Sequence, residues 1–105
     1  MDHDVYTLGA WRVKEGRQQE FIATWKELGT VFAGLQRAPA GKGILVQSIT
    51  DAALFYSFGP WRSLEDIAAM RANEGVKAGI AKLRDLCTEA VPGSFRVAAE
   101  SSPSD

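Results

Sequence analysis

The chain has 105 residues, 12 of them basic and 13 acidic, and a formal net charge of −1 at pH 7. This length suits one domain, and the balance of charge argues against a nucleic-acid-binding surface or an acidic tail. Apolar residues make up 46% of the chain, but no apolar run approaches the roughly 18 residues that a membrane span needs. The N-terminus lacks the features of a signal peptide, so we expect one cytoplasmic domain over residues 1–105, with flexible ends at 1–4 and 100–105.

The first half of the chain predicts a strand, a helix and a hairpin. The β-branched and aromatic run VYTLGAWRV, residues 5–13, is typical of a strand. After KEGRQQE, apolar residues recur at helical spacing until RAPAGKG ends the helix. This helical stripe comprises Phe21, Trp25, Leu28, Phe32 and Leu35. ILVQSIT at 44–50 and LFYSF at 54–58 predict two strands that form an antiparallel hairpin, because the connection between them is short.

The second half predicts two helical segments and a last strand. Gly59-Pro60 is expected to break the third strand, and SLED at 63–66 is a capping box that starts a short helix. NEG at 73–75 interrupts that helix, and VPG stops the next one before a strand at SFRVAAE. The stripe of the second long helix is predicted to comprise Val76, Ile80, Leu83, Cys87 and Ala90.

The order β-α-β-β-α(α)-β is that of the ferredoxin-like split βαβ pattern. It predicts an α+β domain with a four-stranded, antiparallel-dominated sheet and helices on one face. The first and third strands are expected to be central and parallel to each other.

The predicted strands are apolar on both faces. The third strand places Leu54, Tyr56 and Phe58 on one face and Phe55 on the other, and the first strand is similar. Helices can cover only one face, and a monomer rarely exposes so large an apolar patch. We therefore expect a homodimer formed sheet to sheet.

The element order, the segment VKEGRQQEFIATW and the tryptophan followed by RSLEDIAAM resemble the antibiotic biosynthesis monooxygenase (ABM-like) family. This family belongs to the dimeric α+β barrel superfamily, and the resemblance covers roughly residues 5–99. It implies a cofactor-independent monooxygenase of aromatic polyketides and quinols, with the family's strand-end tryptophan at Trp61. The glutamate that members often carry two positions earlier is replaced here by Gly59.

The same family includes haem-degrading enzymes, but their markers are missing. Neither the asparagine expected in the first strand, at LGAW, nor the histidine expected near the start of the last helix, at NEGVKAG, is present. Haem degradation is therefore disfavoured. A metal site at Asp2, His3 and Asp4 is also disfavoured, because it would lack a rigid scaffold, and Cys87 is interpreted as a core residue. The chain contains no nucleotide-binding motif, and Gly41-Lys42-Gly43 is interpreted as a turn, so no cofactor is predicted.

The candidate site is an aromatic box. Trp11 and Trp61 are predicted to lie at the same edge of the sheet, within reach of the first helix, where their indole N–H groups could serve as donors. The predicted substrate-binding residues are Trp11, Trp25, Phe21, Phe55, Met70 and Arg62. The alternative is that the tryptophans only fill the core.

Trp61 and Tyr56 are the catalytic candidates, although Tyr56 is also interpreted as a residue of the dimer face. The sequence offers no obvious general base, since the single histidine is His3. Two hypotheses for function therefore stand. One is a cofactor-independent monooxygenase acting on an aromatic phenol, quinol or polyketide-like substrate with O₂. The alternative is a non-catalytic dimeric module that binds a small ligand or has a structural role.

Overall fold

The computed structural model describes residues 4–103, so His3 and the metal site considered around it lie outside the described residues. The elements are β1 (Val5–Val13), α1 (Gln18–Ala33), β2 (Ile44–Gln47), β3 (Leu54–Trp61), α2 (Leu64–Ala72), α3 (Glu74–Asp85) and β4 (Cys87–Arg96). This is the predicted order, and it forms an α+β, ferredoxin-like fold around one four-stranded sheet. No helix in residues 4–103 has the length and hydropathy to cross a membrane.

The strands lie in the order β2-β3-β1-β4, and every neighbouring pair is antiparallel. The prediction that the first and third strands are parallel is wrong. Because β2 and β1 are both antiparallel to β3, the crossover through α1 returns the chain in the direction of β1. The hairpin then inserts β3 between β1 and β2, antiparallel to both.

This register separates the two tryptophans that were predicted to share an edge of the sheet. Val5 pairs with Trp61, and Trp11 pairs with Phe55. The tryptophans therefore lie at opposite ends of the β1–β3 pair, roughly 20 Å apart along the strands. The two residues do not share an edge of the sheet, and their indoles line different cavities, described below.

Strand β3 runs through Gly59-Pro60 instead of ending there. Pro60 pairs with Tyr6 on β1, and its carbonyl accepts a hydrogen bond from the Ala40 N–H on the other side. Pairing between β2 and β3 stops at Phe58. The lack of an N–H at Pro60 therefore breaks no hydrogen bond of the sheet, because that side of β3 has no strand partner at this position. Gly59 permits a close crossing at this point, since a Cβ would lie 3.2 Å from the Gly43 Cα.

The last helix ends earlier than predicted, and Cys87 and Ala90 belong to β4. Cys87 pairs with Val13 and Ala90 with Trp11, so both side chains still face the helices. Two residues three positions apart lie on the same face of a helix but on opposite faces of a regular strand. Here the irregular register opposite Arg12 and Val13 brings Cys87 and Ala90 to the same face of the sheet.

The helix starts and the buried stripe agree with the sequence. The Ser63 hydroxyl accepts a hydrogen bond from the Asp66 N–H, which confirms the cap of α2. The Asn73 side chain caps α3 in the same way. Phe21 and Leu28 on α1 are fully or almost fully buried against the sheet.

The two faces of the sheet differ in their covering. Alternate residues of β1 and β3, among them Val5, Trp11, Phe55 and Trp61, are buried beneath the helices. The other face, here called the open face, carries large apolar side chains that are 36–59% exposed. These are Leu8, Ile44, Val46, Tyr56, Val91 and Phe95. The predicted two-sided apolar character of the strands is confirmed.

Candidate functional site

A cavity of about 650 Å³ lies between the sheet and α1. It is lined by one residue of β1, by residues of α1 between 25 and 33, by the loop 34–43 and by residues of β3 between 57 and 61. A cavity of this volume has the size of a typical small-molecule site. It exists partly because several lining residues are small, including Gly29, Ala33, Gly41 and Gly43.

Aromatic side chains form much of the cavity wall. Trp61, at the end of β3, is 1% exposed, and the edge-to-face contact between its ring and that of Phe32 has a centroid distance of 5.5 Å. Trp25 lies two turns before Phe32 on α1 and also lines the cavity. Such walls suit a flat aromatic ligand.

Two hydroxyl groups lie on the sheet side of the cavity, and each is held by an indole. The Trp61 Nε1–H donates to Thr7 Oγ1 at 3.1 Å, from β3 to β1. The Trp11 Nε1–H donates to Ser57 Oγ at 2.9 Å, from β1 to β3. Thr7 and Ser57 are diagonal neighbours on the same face of the strand pair, with Cβ atoms roughly 7 Å apart.

The indoles also determine what these hydroxyls can do. A hydroxyl that accepts a hydrogen bond from an N–H keeps its own O–H free to donate. Within residues 4–103, neither Thr7 Oγ1 nor Ser57 Oγ donates to a protein acceptor. Both residues line the cavity, so the pair presents two O–H donors to a ligand oxygen. We call Thr7 and Ser57 the hydroxyl pair.

A second, smaller cavity of about 80 Å³ adjoins the first. Thr7, Ser57 and Trp25 line both. Trp11 and Met70 line only the small cavity. The hydroxyl pair therefore lies where the two spaces meet.

The predicted site residues separate into two groups. Trp61 and Trp25 line the large cavity, and Trp11 and Met70 line the small one. Trp11 also packs against Phe21 with a centroid distance of 5.7 Å.

The remaining candidates lie elsewhere. Phe21 and Phe55 pack together at 5.2 Å in the core and line neither cavity. Tyr56 lies on the open face, on the opposite side of the sheet from the cavity. Arg62 is exposed just after β3 and lines neither space.

The hydroxyl pair was missed by sequence reasoning. Thr7 and Ser57 are polar residues at strand positions whose neighbours two residues away, such as Val5 and Phe55, face the core. A polar residue at a core-facing position of a strand is the signal that could have found them.

The ionisable groups around the site are few. Lys26 and Lys42 line the large cavity, and no carboxylate or histidine does so in the described part of the chain. Cys87 lines neither cavity, and burial raises the pKa of its thiol, so it is not an activated nucleophile. Residues 4–103 contain no group of three His, Cys, Asp or Glu side chains that could hold a metal ion.

The structure resembles solved proteins over nearly its whole length. A variant of SnoaB, a cofactor-independent oxygenase from Streptomyces nogalater, superposes with a TM-score of 0.83 at 19% identity, covering 98% of this chain and 99% of that one. A "putative antibiotic biosynthesis monooxygenase" from Nitrosomonas europaea gives a TM-score of 0.78 at 14% identity, covering 97% of both chains. A conserved protein from Methanosarcina mazei Go1 gives 0.78 at 14% identity, covering 90% of this chain and 93% of that one.

No family model matches the sequence, and no curated protein matches it in a sequence search. What the chain shares with these structures is therefore an α+β, ferredoxin-like fold. More particularly, it is the fold of SnoaB and of the structures described as antibiotic biosynthesis monooxygenases, the fold that the resemblance implied.

Proposed function

We propose that this protein is a cofactor-independent monooxygenase that oxidises an aromatic phenol, quinol or polyketide-like substrate with O₂. The observation that carries the proposal is the hydroxyl pair, which lies in a cavity walled by Trp61, Phe32 and Trp25. The fold adds support, because it is also the fold of SnoaB, a cofactor-independent oxygenase.

The proposed reaction balances without an external reductant. For an anthrone-like substrate, ionisation of the phenol form gives an anion whose carbon transfers one electron to O₂. The resulting radical pair recombines with formation of a C–O bond, and protonation gives a hydroperoxide. Loss of the remaining C–H proton and cleavage of the O–O bond release water and leave a carbonyl. One oxygen atom enters the product and the other becomes water, and the substrate supplies all four electrons.

The residues of the cavity act on the substrate anion. Thr7 and Ser57 donate hydrogen bonds to the phenolate oxygen, and such bonds stabilise an anion more strongly beside the apolar cavity walls than in bulk water. The Trp61 indole orients the Thr7 hydroxyl. Since the described lining contains no carboxylate or histidine, the site favours the ionised substrate and does not use a dedicated base.

Oxygen uptake with anthrones and hydroquinones tests this function directly. We expect turnover without added flavin, metal or nicotinamide, at a rate that rises with pH along the ionisation of the substrate's own phenol. Ser57→Ala should lower kcat by about 10-fold, the value of one hydrogen bond in the transition state. Ser101→Ala is the matched control, because Ser101 is exposed beyond β4 and lines neither cavity. A broad panel without oxygen uptake would remove the proposal.

The alternative is a non-catalytic module that binds a small aromatic ligand in the same cavity. The absence of a carboxylate or histidine from the described lining favours it. Ligand binding that quenches tryptophan fluorescence, in a protein that consumes no oxygen with any substrate of the panel, would support this alternative.

We also propose that the open face pairs with the open face of a second copy. The support is its six exposed apolar side chains, which lie on all four strands. Phe58 lies among them, opposite Leu8 and Ile44. Phe58→Glu should raise the dimer dissociation constant by about 100-fold or more, because the interface would bury an unpaired charge. Arg96→Glu, near the end of β4, is an exposed control. Sedimentation of the unaltered chain as a monomer at micromolar concentration would contradict the pairing.

A further inference from the structure

The charges around the large cavity are all of one sign. Lys26 on α1 and Lys42 in the loop 34–43 line it, and no aspartate or glutamate of residues 4–103 does. Neither ammonium group forms an ion pair within the described chain, whereas Lys77 pairs with Glu74 at 3.4 Å. The two lysines are therefore free to interact with a ligand.

The positive charge is a local property of the cavity. The chain as a whole carries a net charge of −1, so a positive rim is not a consequence of a generally basic protein. Both lysines are exposed, whereas Trp61 is buried at the sheet. A concave site lined by charge of one sign focuses the electrostatic field and raises the local concentration of ligands of the opposite sign.

Three chemically distinct zones therefore follow one another in the cavity. Lys26 and Lys42 provide positive charge at the solvent side, aromatic rings form the walls, and Thr7 and Ser57 provide hydroxyl donors at the sheet. A ligand that matches all three has a flat ring system, an oxygen at one end and an anionic group at the other.

We infer that the substrate is an aromatic acid, whose carboxylate interacts with Lys26 and Lys42 while its phenolic oxygen faces the hydroxyl pair. This inference rests on the proposed function for the choice of this cavity as the substrate site, and it adds the substrate class.

A binding experiment tests the inference without turnover. A hydroxynaphthoic acid and its methyl ester are titrated anaerobically into the protein, with quenching of tryptophan fluorescence as the signal. The acid should bind about 10-fold more tightly than the ester. Lys26→Met and Lys42→Met should each weaken the acid by about 3-fold and leave the ester unchanged, as expected for exposed charge pairs. The preference for the acid should also decline as the salt concentration rises.

Matched variants separate charge from structure. Lys82→Met removes an exposed lysine that lines neither cavity and should change neither affinity. Replacing both cavity lysines by arginine keeps the charge and should keep the preference. Equal affinity of the unaltered protein for acid and ester, or a preference that survives replacement of both lysines by methionine, would overturn the inference.

The oxygen-uptake assay distinguishes this inference from the proposed function. A lysine-dependent preference for the acid without any oxygen uptake would support an aromatic acid as the ligand of this cavity and contradict the oxygenase. Oxygen uptake with neutral phenols that is insensitive to both lysine substitutions would support the oxygenase and remove the substrate class.

Discussion

The two ends of the β1–β3 pair contain the same hydrogen-bond arrangement in different surroundings. At each end a tryptophan of one strand donates to a hydroxyl of the other. At one end, here called the closed end, Trp11 packs against Phe21 and Phe21 against Phe55, and Trp11 borders only the small cavity of about 80 Å³. At the cavity end, Trp61 contacts Phe32 and borders about 650 Å³ of open space.

The difference comes from the elements that cover each end. The first part of α1 places Phe21 directly over the closed end. The second part of α1 contributes Gly29 and Ala33, and the loop 34–43 contributes two glycines, so little side-chain volume fills the cavity end. One helix therefore completes the core with its first turns and leaves a site beneath its last turns.

The largest expected effect is a loss of stability that distinguishes the ends. Phe21→Ala should cost about 3–5 kcal/mol of unfolding free energy, because it opens a void among fully packed rings. Phe32→Ala should cost only about 1.5 kcal/mol, because Phe32 is partly buried and already borders open space. Urea denaturation measures both. Equal costs would show that the cavity end is as tightly packed as the closed end.

The next effect concerns the Trp61 hydrogen bond. Trp61→Phe keeps most of the packing and removes the N–H, so the proposed kcat should fall by about 10–100-fold. Thr7→Val should have a similar effect, and the double variant should cost no more than either change alone, because the indole acts through the hydroxyl. Steady-state oxygen uptake measures the cycle. Additive losses would mean that Trp61 acts independently of Thr7, and unchanged kcat would make Trp61 a packing residue only.

A stabilising change should be tolerated at the cavity end. Gly29 lies inside α1, and a Cβ added there meets nothing within 4 Å. Gly29→Ala should raise the unfolding free energy by about 0.5–1 kcal/mol, because alanine favours the helix. Gly79→Ala on α3 is the opposite case, since its Cβ would lie 2.7 Å from Leu28 Cδ1. A higher unfolding temperature for Gly79→Ala than for Gly29→Ala would contradict the open packing around Gly29.

The smallest effect is a pH dependence at the closed end, where Cys87 pairs with Val13. Desolvation raises the pKa of this thiol above its ordinary value. A folded-state pKa above the unfolded one gives stability that is complete below about pH 8.5 and is lost as pH rises through the folded pKa. Urea denaturation across the alkaline range should show this decline, and Cys87→Ala should lack it. An identical decline in both proteins would assign it to other groups.

Many local features were predictable because short-range patterns determine them. The spacing of Phe21 and Leu28 predicted the buried face of α1, and Ser63 predicted the start of α2 through its cap. The strands do not alternate apolar with polar residues, and this also predicted a sheet that is apolar on both faces, which the exposed side chains of the open face confirm. Trp61 was predicted as a site residue, and it lines the cavity.

The predictions that failed depended on where distant segments meet. Taken alone, Gly59-Pro60 predicts the end of a strand. In the structure, pairing between β2 and β3 stops at Phe58, so no strand partner requires an N–H at Pro60 and β3 can continue through it. Cys87 and Ala90 fit a helical stripe, and only pairing with β1 assigns them to β4. The direction of β3 relative to β1 followed from the crossover, which no local pattern encodes.

The sequence by itself determined the order of elements, the apolar faces and the presence of a tryptophan at the end of β3, because hydrophobic spacing and capping act over a few residues. Which groups form the site depends on contacts between residues far apart in the chain. Thr7 and Trp61 are 54 residues apart, and Trp11 and Ser57 are 46 apart. Antiparallel pairing of β1 with β3 brings each indole to its hydroxyl, and the small residues of α1 and the loop 34–43 leave the space that the hydroxyl pair faces.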